Sequence, residues 1–135
     1  MDIVRTLPSQ LNLVSEFILC VLDALQKEGP FPEDDVYQIR LILEEAITNA
    51  MRHGNKLNPQ LNVDIKISCH NGRLTMDIKD QGPGFDFKNV PNPTRNERLL
   101  LTSGRGVFLI KKYVDEVKFY DHGSGIRLIK TLKRS

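Results

Sequence analysis

The sequence predicts an α+β domain, a two-layer α/β sandwich with a mostly antiparallel sheet and helices on one face. Three observations carry that expectation. Two amphipathic helical stretches come early, at about 9–27 and 32–53. A strictly alternating hairpin follows at 61–79, and a second strand pair closes the chain at about 115–132. Helical runs grouped apart from strand runs give helices gathered on one side of an antiparallel sheet.

Each element has its own signal. Residues 2–7 form a short strand. From Ser9 to about Lys27, Leu11, Val14, Ile18, Val21, Leu22 and Leu25 recur at helical spacing. "EGPFP" then breaks the chain. Pro32 stands near the start of the second helix, with Glu33, Asp34 and Asp35 in the first turn, where negative charge suits the helix dipole. Its apolar stripe is Val36, Ile39, Leu43, Ile47 and Ala50. In the hairpin, Leu61, Val63, Ile65, Ile67 and Cys69 alternate with polar residues, "NG" at 71–72 makes the turn, and Leu74, Met76 and Ile78 return. A two-residue loop pairs Cys69 with Leu74, Ile67 with Met76 and Ile65 with Ile78 on one face, leaving the other face polar. Residues 86–103 are long for a plain connection and suit a functional loop. "GRGVFLIKKYV" is a Gly-rich turn running into a short helix, and the last hairpin turns at "DHGSG".

Composition narrows the function classes. A length of 135 residues suits one domain spanning 1–135. A formal net charge of +2, with no basic stripe interleaved with aromatics, gives no footprint for direct nucleic-acid binding. The longest apolar run, "FILCVL", is too short to span a membrane, and "MDIVRTLPSQ" lacks a signal-peptide layout, so a cytoplasmic protein is expected. Cys20 and Cys69 are too far apart for a zinc site or a disulfide framework and are expected in the core.

Three places break the structural pattern. Asp80 is in phase with Leu74, Met76 and Ile78 on the buried face. A carboxylate there costs several kcal/mol unless it is paired. Either it ends the strand by accepting turn N–H groups, or it accepts from a ligand that Gly82 and Gly84 allow to approach closely. In "EEAITNAMRHGN" (44–55), Glu45 and Asn49 lie one turn apart, away from the apolar stripe, whereas Glu44 points about 140° away from Asn49. A carboxylate and an amide oxygen so placed suit a proton acceptor beside a hard cation such as Mg²⁺. Gly104-Arg105-Gly106 before a helix exposes N–H groups suited to phosphate. No P-loop or dinucleotide fingerprint occurs.

In order, "EAITN" (45–49), "DQGPG" (80–84) and "GRG" (104–106) resemble the N box and two glycine boxes of the Bergerat-fold ATPases, the superfamily of gyrase, Hsp90, histidine kinases and MutL. Within it, "EEAITNAMRHGN" and "SGRGVFLIKKYVDEV" look most like the small anti-sigma factor serine/threonine kinases. The resemblance covers essentially the whole chain. It implies ATP as nucleotide, with Asn49 holding Mg²⁺ and Glu45 as the catalytic base for the attacking hydroxyl. It implies Asp80 accepting from the adenine amino group and Gly82 and Gly84 lining base and ribose. Residues 86–103 would form a lid, with Ser103, Gly104, Arg105, Gly106 and Val107 at the phosphates. His53 stands either at the phosphate pocket or as a helix cap before Gly54.

The resemblance also implies partners: an anti-anti-sigma (STAS-type) protein as phosphoacceptor, a sigma factor for the freed protein to sequester, and a homodimer. The alternative is a nucleotide-gated binding module without phosphotransfer. A sensor histidine kinase would need a dimerising hairpin with a phosphoacceptor histidine, and a gyrase- or MutL-like ATPase would need a transducer domain. Neither is expected in this chain.

Overall fold

The structure is a computed structural model that describes residues 1–82, 110 and 112–134. Among these residues, five strands make one antiparallel sheet: β1 (Asp2–Pro8), β2 (Asn62–His70), β3 (Arg73–Lys79), β4 (Glu116–Tyr120) and β5 (Gly125–Thr131). Their order across the sheet is β1-β2-β3-β5-β4. Helices α1 (Val14–Glu28) and α2 (Glu33–Asn49) precede the central hairpin, and Ile110, Lys112 and Tyr113 are helical before β4.

The hairpin has the register its alternation predicts: Cys69 faces Leu74, Ile67 faces Met76 and Ile65 faces Ile78. Asn71 and Gly72 both have positive φ, 54° and 79°, as a two-residue turn matched to strand twist requires. The inward side chains of β2, β3 and β5 share one cluster with Val14, Phe17, Ile18, Val21 and Leu25 of α1 and Ile39, Leu43 and Ile47 of α2. The opposite face of β2 and β3 is polar, and across the sheet Asp77 accepts from Tyr120 Oη and, at 2.8 Å, from Arg127 Nε. The two-layer α+β sandwich with helices on one face is therefore what the chain forms.

Three details differ from the sequence reading. The first helix begins at Val14 after a 3₁₀ turn at Leu11–Leu13, because Ser9 is tied to the sheet by bonds to the Leu61 carbonyl from its N–H (3.1 Å) and hydroxyl (2.8 Å). Cys20 is exposed while Cys69 is buried. The buried face of α1 is set by Val14, Phe17, Ile18, Val21 and Leu25, and position 20 points off it. On α2, Ile42 and Ala46 are buried as well, which widens the apolar stripe to the side that carries Asn49. The expected lid and the Gly-rich turn at 104–106 lie outside the described residues. Among the described residues no helix is long and apolar enough to cross a membrane.

Candidate functional site

The last turn of α2 continues into a π-helical turn, Ala50–Gly54, closed by Asn55 N–H on the Ala50 carbonyl at 2.9 Å. Such i→i+5 turns concentrate at functional sites because they re-aim side chains without ending the helix. The reversal that follows uses Lys56 and Leu57 at φ 52° and 58°. Leu57 N–H satisfies the Met51 carbonyl at 2.7 Å. Backbone groups thus cap this helix. His53 is exposed and makes no hydrogen bond among the described residues, so the capping alternative for it falls away.

Asn49 ends α2 and is only 6% exposed. Neither its Nδ2 nor its Oδ1 has a hydrogen-bond partner among the described residues. A buried amide left unpaired costs roughly 1–3 kcal/mol, and native structures hold few of them. Burial here corrects the expectation that Asn49 lies well away from the apolar stripe, since Ile42 and Ala46 extend that stripe alongside it. Glu45, one turn earlier, is partly buried and Glu44 is exposed, which keeps Glu45 as the carboxylate beside the amide.

Asp80 stands one residue past β3. Its N–H extends the pairing with β5 by bonding the Ser124 carbonyl at 2.9 Å. The side chain keeps the phase of Leu74, Met76 and Ile78 and is 8% exposed. Oδ1 accepts from Gly82 N–H at 2.8 Å, and Oδ2 has no partner among the described residues. Oδ1 thus meets the turn-closing alternative. Burial pushes the carboxyl up to about 6, against the smaller opposing pulls of the Gly82 N–H and the Lys79 charge.

Glycines pack this carboxylate tightly. A Cβ on Gly54 would lie 2.1 Å from Asp80 Oδ2, and one on Gly82 would lie 2.0 Å from the Gly54 carbonyl oxygen. Asn55 braces the same corner from behind. Its Oδ1 accepts from Gln81 N–H at 2.8 Å, and its Nδ2 donates to Ser9 Oγ at 2.9 Å and to the Asn62 carbonyl at 3.0 Å. Gln81 Oε1 in turn accepts from Asn62 N–H at 2.6 Å. So the π turn, the end of β3 and the start of β2 are joined behind Asp80.

Glu45, Asn49, His53, Asp80 and Gly82 are all described. The end of α2 and its π turn carry the first three, and Gly54 of that turn abuts Asp80 and Gly82. Gly84, Ser103, Gly104, Arg105, Gly106 and Val107 lie outside the described residues. Two polar residues went unread in the sequence. Asn55 was passed over because its partners lie 46 and 26 positions away. Lys130 faces inward on β5, where Nζ donates to Gln38 Oε1 at 3.0 Å and to the Tyr113 carbonyl at 2.8 Å. Its even phase with Ile126 and Leu128 was the available signal.

The donors fit a nucleotide with its cation. A buried amide and a buried carboxylate oxygen, both without a hydrogen-bond partner among the described residues, are what such a ligand needs. No group of three or more His, Cys, Asp or Glu side chains that could hold a metal occurs among the described residues. Mg²⁺ suits such a site, because phosphate oxygens and water complete its octahedron.

The family model of the histidine kinase-like ATPase domain matches residues 7–130. The chain belongs to that family. As a histidine kinase-like ATPase domain it is similar to several curated proteins. One is the serine-protein kinase RsbW of Staphylococcus epidermidis, 29% identical over 136 residues, covering 95% of this chain and 85% of that protein. Another is RsbW of Bacillus subtilis strain 168, 26% identical over 130 residues, with 92% and 80% covered. RsbW of Staphylococcus aureus strain MSSA476 is 27% identical over 135 residues, with 94% and 84% covered. The Bergerat-type ATPase resemblance carried by "EAITN", "DQGPG" and "GRG" is borne out by the family match.

Proposed function

We infer that this protein is an ATP-dependent protein serine/threonine kinase acting as an anti-sigma factor, a single domain over residues 1–135 working in the cytoplasm. The observation that carries the reading is the buried amide of Asn49, without a partner among the described residues and one turn from Glu45, in a chain that matches proteins named serine-protein kinases over most of their length. The acceptor is a serine or threonine of an anti-anti-sigma (STAS-type) protein, and a sigma factor and a homodimeric partner copy complete the switch.

Asp80 takes the adenine amino group on its ionised carboxylate, and Gly82 and Gly84 leave room for base and ribose. Guanine, with a carbonyl at that position, would set oxygen against oxygen. Asn49 Oδ1 would hold Mg²⁺, which when bound neutralises charge on the phosphates. His53, at the rim of the π turn, with Ser103, Gly104, Arg105, Gly106 and Val107, contacts the phosphates. Glu45 orients the acceptor hydroxyl and takes its proton as the oxygen attacks the γ-phosphorus, with ADP as leaving group. The new phosphoester adds close to two negative charges at the contact surface and so separates kinase from acceptor.

The test is transfer of γ-labelled phosphate from ATP, with Mg²⁺, to small proteins of a lysate of the source organism. Wild type should label one such protein with acid-stable phosphate. Glu45→Ala should keep ATP affinity while transfer falls by about 10²-fold or more. Equal transfer by both would mean that Glu45 is not the base. ATP binding without transfer to any protein would favour the nucleotide-gated binding module.

A further inference from the structure

We propose that Gly54 is a specificity-determining residue of this pocket: having no side chain, it lets the Asp80 carboxylate stand in the one orientation that reads adenine. The proposal rests on Asp80 being the adenine acceptor.

Position 54 does not need glycine for its backbone. Its φ lies outside the left-handed region, and the residues that turn the chain there, Lys56 and Leu57, are not glycines. The usual reason for a glycine after a helix is a left-handed C′ position, and that reason is absent here. What the position needs is space. The three heavy atoms nearest a Cβ at Gly54 are all in the Asp80 carboxyl group, at 2.1, 2.2 and 2.7 Å. Real Cβ atoms do not approach so closely, so one of the two groups must move.

The carboxylate is the group that can move. On the Gly54 side, the Ala50–Asn55 backbone bond holds the main chain, and the Gly54 carbonyl lies so near Gly82 that a Cβ there would come within 2.0 Å of its oxygen. On the Asp80 side, the main chain is held by Ser124, but the carboxylate turns about its own side-chain bonds, with only the Gly82 N–H among the described residues to keep it. An alanine at 54 therefore rotates the carboxylate away from the turn, and with it the acceptor oxygen. Gly82 differs, because there the added carbon meets a backbone carbonyl that has no such freedom.

The experiment uses Gly54→Ala, Asp80→Asn and their combination in the full chain. The ¹³C signal of the Asp80 carboxyl, assigned by its loss in Asp80→Asn, is read without nucleotide, and ATP and GTP affinities are measured by calorimetry. Gly54→Ala should move that signal, lower ATP affinity roughly tenfold and leave GTP affinity as it was, so that the ATP/GTP ratio shrinks. In the Asp80→Asn background the same alanine should change ATP affinity by less than about twofold, since its effect acts through the carboxylate. An unmoved signal overturns the proposal, as does an unchanged ATP/GTP ratio while Asp80→Asn still weakens ATP; either leaves Asp80 as the adenine acceptor. ATP affinity unchanged by Asp80→Asn overturns the adenine assignment, and the proposal with it. If Gly54→Ala does not fold, Gly54→Ala with Asp80→Gly must, because the clash is then gone. A pair that stays unfolded by circular dichroism overturns the proposal.

Discussion

Asn49 and Asn55 stand on either side of one π-helical turn, both buried, at 6% and 1% exposure. Asn55 accepts from Gln81 and donates to Ser9 and Asn62, so its amide is spent on the protein. Asn49 has spent none of its amide on the described residues. The same side chain at similar depth thus does two things: one asparagine holds the turn in place, and the other is held by it. A closed set of hydrogen bonds marks a structural polar residue, and an open one marks a place kept for a ligand.

The difference can be broken from the structural side first. Asn55→Ala should cost about 3 kcal/mol, close to 1 kcal/mol for each of three lost bonds, with Gln81 N–H left without its partner. Urea unfolding is the measurement, and a loss under 1 kcal/mol would show that water takes over the role of the amide. Asn49→Ala should cost far less stability, because no described residue is left unpaired. In exchange, affinity for ATP with Mg²⁺ should fall about tenfold, or near 1.4 kcal/mol, while affinity for ATP in a chelator changes little. Equal losses with and without Mg²⁺ would remove Asn49 from the cation.

Asp80 sharpens the same contrast through pH. Its carboxyl is held near 6 in the folded chain against the ordinary 3.8. The folded state therefore binds the proton more readily, and its stability falls as pH rises from about 4 through 6, then levels off. Asp80→Asn removes that decline. The variant should be more stable than wild type by about 1 kcal/mol at pH 7.5, with the gap closing as pH falls toward 4, read from melting temperatures across the range. A gap that did not change with pH would mean the carboxyl titrates normally. A residue that weakens the fold where the protein works is a common mark of a functional site.

How much of this was legible beforehand depends on where each residue's partners sit. The hairpin register followed from alternation and the "NG" turn, because those forces act between neighbours. Asp80 was legible because strand phase carries one residue past the strand end. Asn49 was picked out by its spacing from Glu45, yet its burial was not, since that depends on Ile42 and Ala46 meeting the sheet. Cys20 was misjudged for the same reason: an apolar run on a helix covers both faces, and only packing chooses one.

By itself, then, the sequence determined the element order, the hairpin register, the polar outer face of that hairpin and the buried phase of Asp80, all properties of period and local turn chemistry. Tertiary structure alone decided which asparagine is satisfied, why position 54 is glycine and where Lys130 puts its charge. Each of those depends on atoms brought together from distant segments, Asn55 with Gln81, Gly54 with Asp80 and Gln38 with Lys130. Local pattern has no means of encoding such meetings, because hydrogen bonds and excluded volume act over a few ångströms of space, whatever the separation along the chain.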